Sequence, residues 1–263
     1  MIDLHCHVLP GIDDGPDTIE GSVALARAAA AAGIRTLVAT PHVSWRYPND
    51  PENIAWLAEQ LRARLAAEGV SIEIRCGAEI AMSRALDLSR TELSLLRMGE
   101  GPWLLLEPPF AQEASGLERI VLELQRRGHS VLLAHPERCP AFHRDPLLLE
   151  SLVGGGVLTS ITAGSLAGRF GDQVRRFTLG LARDGLVHNV ASDAHDHIRR
   201  APGMSEEIQG AGLGPLAGWL TEEVPSAILC GEAVPPRPAD VLAGLARADR
   251  RRWWRRLNSG RRP

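Results

Sequence analysis

Histidine, aspartate and glutamate recur at the ends of short apolar runs throughout this chain, and those residue types are the donors that a divalent cation uses. The first run leads straight into His5-Cys6-His7. Side chains alternate across a strand, so His5 and His7 point the same way and can grip one ion, while Cys6 points to the opposite, core side. Asp193-Ala194-His195 closes a later run with the same spacing. Thr40-Pro41-His42, Gly77-Ala78-Glu79, Leu105-Leu106-Glu107 and Ala134-His135-Pro136 each place one more ligand type after a further run. A lone HxH on a surface strand is common, and a single His or Glu at a strand end has an ordinary reading as a cap or loop residue. Six such ends in one chain make a metal cluster the better account. The loop Gly11-Ile12-Asp13-Asp14-Gly15-Pro16 adds Asp14, within a turn that leads into a helix capped by Asp17 or Thr18.

Mixed imidazole and carboxylate donors suit Mn, Fe or Zn, and the lack of a cysteine donor among them argues against a thiolate site. Ions about 3.5–4 Å apart in such a cluster lower the pKa of a bound water, hold the attacking and leaving oxygens, and neutralise charge on a phosphoryl group. Hydrolysis of that kind needs no protein nucleophile. A cysteine-based phosphatase would need Cys followed after five residues by Arg. None of Cys6, Cys76, Cys139 and Cys230 has that spacing, and Cys139 to Arg144 falls one residue short. There is no Gly-rich phosphate loop ending in Lys to suggest an ATPase, since the chain contains no Lys at all.

Parallel strands joined by crossover helices would position these donors. Short apolar runs at Ile2 to Cys6, Thr36 to Thr40, Ser71 to Ile74, Trp103 to Leu106, Ser130 to Ala134, Val157 to Ile161 and Val187 to Ala191 read as about seven strands. Between them lie helix-like stretches at Ile19 to Ala32, Pro51 to Glu68, Leu117 to Arg127, Pro146 to Val153 and Gln173 to Asp184. An open doubly wound sheet fits that alternation too. Polar residues after almost every strand favour a barrel, which brings all its strand ends onto one face.

A chain of 263 residues with 44% hydrophobic content can bury one sizeable core. No run approaches the roughly 18 apolar residues of a membrane span, and the N-terminus opens on a strand rather than a leader, so a cytoplasmic body is expected. The scattered cysteines fit reduced thiols. Net charge is −3, but residues 247–263 carry eight Arg and one Asp, leaving −10 on the remainder. An acidic body argues against a nucleic-acid partner and suits a site that concentrates cations. The tail Arg250-Arg251-Arg252-Trp253-Trp254-Arg255-Arg256 has the composition of a peripheral membrane contact, with a basic end that merely aids solubility as the plain alternative.

Taken together, I-D-L-H-C-H, D-D-G-P, T-P-H, G-A-E, L-L-L-E, A-H-P-E-R and S-D-A-H resemble the polymerase and histidinol phosphatase (PHP) superfamily, across about residues 1–232. Within it the chain looks most like the bacterial manganese-dependent tyrosine phosphatase branch of the CpsB/YwqE type, linked to capsule and exopolysaccharide synthesis. The resemblance implies a distorted (β/α)7 TIM-like barrel over residues 1–232, with residues 233–263 as a C-terminal helix-like segment and basic tail. It implies three divalent ions, Mn2+ in the first instance with Fe or Zn as alternatives. His5, His7, Glu79 and Asp193 would hold one; Glu79, Glu107 and His135 a second; Asp14, His42 and His195 the third. Arg138 matches a phosphate-contacting arginine and Arg200 a second, with Arg199 as the alternative. His197, beside the cluster, is a candidate proton donor, and His143 a candidate for the same mouth, whereas His129 and His188 read as structural. The implied partner is a phosphotyrosine protein such as a membrane-anchored bacterial tyrosine kinase. The rival readings are a histidinol-phosphatase-like enzyme for small phosphomonoesters and a metal-stabilised scaffold that binds a phosphorylated partner without turning it over.

Overall fold

The computed structural model describes residues 1–238; the helix-like segment expected over residues 239–248 and the Arg/Trp tail lie outside the described residues. Strands and helices follow one another as β1 (Ile2–Cys6), α1 (Ile19–Ala31), β2 (Thr36–Ala39), β3 (His42–Val43), α2 (Pro51–Ala67), β4 (Glu73–Cys76), β5 (Glu79–Ala81) and α3 (Arg90–Leu95). The chain continues as β6 (Trp103–Glu107), α4 (Leu117–Arg126), β7 (Ser130–Ala134), α5 (Pro140–Arg144), α6 (Pro146–Gly154), β8 (Leu158–Thr162), α7 (Ala163–Ala167), α8 (Asp172–Asp184), β9 (Asn189–Ala191), α9 (Ser205–Gly210) and α10 (Val224–Cys230). Helix starts follow their caps. Thr18 accepts the Gly21 N–H at the head of α1, Asp50 does the same for Asn53 with Pro51 next to it, and Ser89 and Glu92 form a reciprocal capping box.

Every strand pairing is parallel, in a sheet of order β1-β2-β4 and a second of order β3-β5-β6-β7-β8-β9. The expected strands over Thr36 to Thr40 and Ser71 to Ile74 appear as β2 and β4, and each is followed by a further short strand, β3 or β5, that was not expected. Pro41, which has no N–H to donate, separates β2 from β3, and Gly77-Ala78 separates β4 from β5. Hydrogen bonds from Gly77 N–H to Ala39 O (3.0 Å) and from Glu79 N–H to Pro41 O (3.0 Å) carry the pairing across these bends. At the far edges β1 meets the end of β9, where Asp193 N–H donates to His5 O and His7 N–H to Ala194 O, both at 2.9 Å. The last strand starts later than expected, at Asn189 instead of Val187, because the His188 imidazole itself accepts the Thr159 N–H at 3.2 Å.

The strands are apolar through most of their length, as in β6 and β7, and the helices cover them with one face each. In α2 that face is Ile54, Ala58, Leu61 and Leu65, and in α4 it is Leu117, Ile120, Val121 and Leu124. Each Leu, Ile or Val among them contributes about 1.5–3 kcal/mol by leaving water, and Leu61→Ala would cost about 2–5 kcal/mol. Cys6 is fully buried, as its strand position implied. Residues past α10 stay on the body: Val234 packs on the core, Trp219 Nε1 donates to Pro235 O, and Arg237 reaches Ala182 O. Among the described residues no helix is long and apolar enough to cross a membrane.

Candidate metal centre

The bends at Pro41 and Gly77 set the register that aligns the donors. His42 pairs with Glu79 across β3 and β5, and Ala81 pairs with Glu107 across β5 and β6. His5 and His7 stand at the end of β1, His135 follows β7, and Asp193 and His195 follow β9. The Nε2 atoms of His5 and His7 lie 3.2 Å apart, and each is 3.4 Å from Glu79 Oε2 and 3.6 Å from Asp193 Oδ1. Glu79 reaches His135 Nε2 through Oε1 at 2.8 Å and His42 Nδ1 through Oε2 at 2.9 Å. Asp14 Oδ1 lies 3.2 Å from His195 Nε2 and 3.4 Å from His42 Nε2.

All nine expected donors therefore meet, in four overlapping groups whose ligand atoms lie within 4.8 Å of one another. Asp14, His42 and His195 group as expected and are joined by His7; His5, His7 and Asp193 form a second group. The remaining set divides. Glu79 and His135 group with His5, whereas Glu107 groups with Glu79 and His42. The cause is the Glu79 carboxylate, whose two oxygens face His135 and His42 respectively, with Glu107 on the His42 side at 4.0 Å.

Backbone strain aims two of these donors. His135 (φ 29°) and Asp193 (φ 51°) are the non-glycine residues with positive φ among those described. Such conformations cost on the order of 1–3 kcal/mol and persist where the surroundings over-determine them.

Three carboxylates outside the expected set hold the donors in place. Asp13 Oδ2 sits 2.7 Å from His7 Nδ1 and accepts the His42 N–H at 3.0 Å, while its Oδ1 accepts the Gly15 N–H. Gly15 passes so close to β1 that a Cβ there would stand 2.3 Å from His7 O. Asp3 accepts from Ser192 N–H and hydroxyl and from His5 N–H, tying the β1 donors to the β9 donors. Glu137 Oε1 accepts the Thr162 N–H at 2.9 Å and the Ser165 hydroxyl at 2.6 Å, fixing the turn between His135 and Arg138. Asp13 and Glu137 each adjoin expected site residues, in D-D-G and H-P-E-R, and that adjacency was the available signal. Asp3 had none.

The charges of the cluster are set by mutual pairing. Burial alone would strip the proton from His7, but hydrogen bonds to Asp13 and Glu79 outweigh it and hold its pKa at about 9. Burial works against charge on His42 as well, and contacts with Asp14 and Glu79 overcome it and lift its pKa to about 11. Burial opposes ionisation of Glu79, yet His5, His135 and His42 hold its carboxyl well below the usual range. Asp193, equally buried, is held down by His5 and Arg200. Glu107 moves the other way: burial and the charge on Glu79 push it up to about 7.

A divalent cation fits this arrangement. His135 Nδ1 is buried without a hydrogen-bond partner, Glu79 Oε2 is a buried carboxylate oxygen ringed by nitrogens of His5, His7 and His42, and two imidazole nitrogens face each other across the short gap between His5 and His7. Arg138 and Arg200 close the site from above, both on Asp193 Oδ2, at 2.7 Å and 2.8 Å. Arg199 is exposed, so of the two candidates Arg200 is the one with its guanidinium at the cluster. His197 is exposed and is not among the residues that converge. His143 lines a cavity of about 490 Å³ with Arg138, Arg144 and Phe170, and its Nε2 lies 2.7 Å from Glu137 O. His188 is bound to Thr159, in keeping with a structural role.

Known proteins resemble the chain over the region that builds this centre. A family model described as "Capsular polysaccharide synthesis, CpsB/CapC" matches residues 1–211. The "Tyrosine-protein phosphatase YwqE" of Bacillus subtilis is 40% identical over 197 residues, which covers 74% of this chain and 78% of the relative. The "Putative tyrosine-protein phosphatase CapC" of Staphylococcus aureus is 32% identical over 209 residues, 79% of this chain and 82% of the relative. A crystal structure from work on YwqE of Bacillus subtilis and CpsB of Streptococcus pneumoniae, described as "unique metal-dependent tyrosine phosphatases", superposes with a TM-score of 0.80 at 34% identity. It covers 91% of this chain and all of the solved one. This chain belongs to the CpsB/CapC family.

Proposed function

We propose that this chain is a metal-dependent protein tyrosine phosphatase, a phosphoric monoester hydrolase acting in capsule or exopolysaccharide synthesis. The observation that carries the reading is the meeting of nine His, Asp and Glu donors with two arginines at one mouth. We assign the donors to three divalent ions, Mn2+ in the first instance with Fe or Zn as alternatives. The overlapping donor groups and the shared position of Glu79 support more than one ion. When bound, such ions would lower the pKa of a water toward neutrality and neutralise charge on the phosphoryl group.

The chain's own residues supply the rest. Arg138 and Arg200 present planar, permanently charged forks suited to phosphate oxygens, and Asp193 keeps both beside the donors. Asp13, Asp3 and Glu137 hold the donors and Arg138 in place. Tyrosine leaves as a phenolate of ordinary pKa about 10, so its departure needs less protonation than an alkoxide's, and no acid role is required of His197.

We also read the fold as a barrel of seven βα units, counting β2 with β3 and β4 with β5. Support comes from the parallel order and the hydrogen bonds joining β1 to the end of β9. The division into a barrel over residues 1–232 and an appendage over 233–263 rests on the span of the family resemblance and on the Pro-rich stretch Val234 to Pro238 that leads into the tail. The partner we propose is a phosphotyrosine protein in the cytoplasm, such as a membrane-anchored tyrosine kinase of the same capsule system, with the Arg/Trp tail as a membrane contact. Liposome co-sedimentation unchanged on deleting residues 250–263 would reject the tail's role.

The test of the main reading is turnover of a phosphotyrosine peptide, a phosphoserine peptide and histidinol phosphate with Mn2+ and after EDTA. The reading expects phosphotyrosine to lead and EDTA to abolish it. Histidinol phosphate in the lead would point to a small-substrate phosphatase, and binding without turnover to a scaffold.

A further inference from the structure

We infer that Phe110 is the platform on which the substrate's aryl ring stacks, and so the residue that separates aryl from alkyl phosphate monoesters. The inference rests on the phosphatase reading above and names the feature that gives it a tyrosine preference.

Phe110 follows β6 directly after Pro108-Pro109, whose fixed φ values stiffen the backbone that carries it. It is 54% exposed. An exposed phenylalanine alone means little, since apolar atoms make up much of any protein surface. The neighbours of this one give it meaning. Its ring stacks on the His135 imidazole with centroids 5.4 Å apart and planes 27° apart, and the Arg138 guanidinium carbon lies 5.2 Å from its centroid. Phe170 takes the same guanidinium at 4.4 Å from the cavity beyond. Phe110 therefore stands between a donor of the cation cluster and the arginine that would take the phosphate. A ring joined through one oxygen to a phosphorus held by Arg138 lies within stacking reach of it. An alkyl chain in that place has no face to offer.

A second aromatic that stacks on a donor imidazole is occupied differently. Tyr47 lies flat against His42, with centroids 5.6 Å apart and planes 7° apart, the Arg46 guanidinium carbon is 5.2 Å from its centroid, and it is less exposed. Phe110 keeps more of its ring in solvent.

The test compares the Mn2+-loaded wild type with Phe110→Ala and Phe110→Tyr on a phosphotyrosine peptide and on glycerol phosphate. Stacked aromatic pairs contribute enough beyond plain burial that removing one should cost about tenfold in kcat/KM. Phe110→Ala is expected to lower kcat/KM for the peptide by that factor, mainly through KM, and to leave glycerol phosphate within about twofold. Phe110→Tyr should stay near wild type on both. The readout is the change in the ratio, because the wild-type ratio also contains the difference between phenol and alcohol as leaving groups. Competitive inhibition supplies a measure without bond cleavage: phenylphosphonate should weaken about tenfold in Phe110→Ala and methylphosphonate should not. Equal losses on both substrates, or an unchanged peptide rate, would overturn the platform. A wild type that turns over neither substrate would instead overturn the phosphatase reading.

Discussion

The two sides of the donor cluster solve the problem of aiming a side chain by different means. On the side built by β1 and β3, an acceptor stands behind each donor: Asp13 holds His7 and the His42 backbone, and Asp3 bonds the His5 backbone and ties it to Ser192. On the side built by β7, the backbone is bent instead. His135 sits at φ 29° with its Nδ1 buried and unpartnered, and the turn after it is pinned by Glu137 to β8 and its following helix. Asp193 uses both means, a positive φ and two arginines. The first side resists change because its partners are many. The second depends on one buried carboxylate.

Removing a donor breaks both sides alike and sets the upper bound. His42→Ala or Asp193→Ala should lower kcat on a phosphotyrosine peptide by about a thousandfold or more, measured at saturating Mn2+. The next effect belongs to pH. His7 and His42 carry protons held at about 9 and 11, so at neutral pH both protons must leave for the nitrogens to bind a cation. Apparent metal affinity should therefore fall as pH falls from 8 to 6, by up to about a hundredfold per pH unit where both protons are displaced. Calorimetry in buffers of different ionisation enthalpy should register the released protons, and a pH-independent affinity would contradict the pairing.

The comparison itself is sharpened by two variants. Asp13→Ala should weaken metal binding by about 10–100-fold, since carboxylates behind ligating imidazoles have effects of that size. Glu137→Ala should act mainly on KM for phosphate esters, by about tenfold, because its turn carries Arg138. If the two variants failed in the same way, the distinction between the sides would be lost. Gly15→Ala should destabilise the fold by about 1–3 kcal/mol in denaturant titration, because the added methyl meets the His7 carbonyl.

The smallest effect is remote from the site. Burial depresses the His188 pKa to about 4 from an ordinary 6.5. A depressed histidine adds stability that is present above pH 6.5 and is lost as pH falls toward 4. His188→Gln should flatten that part of the dependence of Tm on pH, and an unchanged slope would refute it.

The donors were legible in the sequence because each belongs to a strand end, where spacing alone says which way a side chain points. His5 with His7, and Asp193 with His195, carry their geometry in two residues. The helix at Ile19 announced itself through a cap at Asp17 or Thr18, and the helix at Pro51 through its helix-like stretch alone. What stayed hidden depends on contacts between distant segments. The short strands β3 and β5 beyond Pro41 and Gly77-Ala78 lie past the apolar runs that mark β2 and β4, yet they set the register of His42 against Glu79. Asp13 and Asp14 are the same residue type side by side, and only the fold turns one toward His7 Nδ1 and the other toward His195. Glu137 reads as a loop residue until Thr162 and Ser165 arrive from β8 and the helix after it. Grouping of donors was also beyond the sequence, since the division of Glu107 from His135 follows from how one carboxylate is turned.

Metal content of the Mn2+-loaded, desalted protein, measured by elemental analysis beside turnover of a phosphotyrosine peptide, bears most directly on the whole account. Three ions per chain in the wild type, with both content and turnover reduced in Asp193→Ala, is the predicted result. Full phosphotyrosine turnover by protein that retains no transition metal under any loading condition would contradict it.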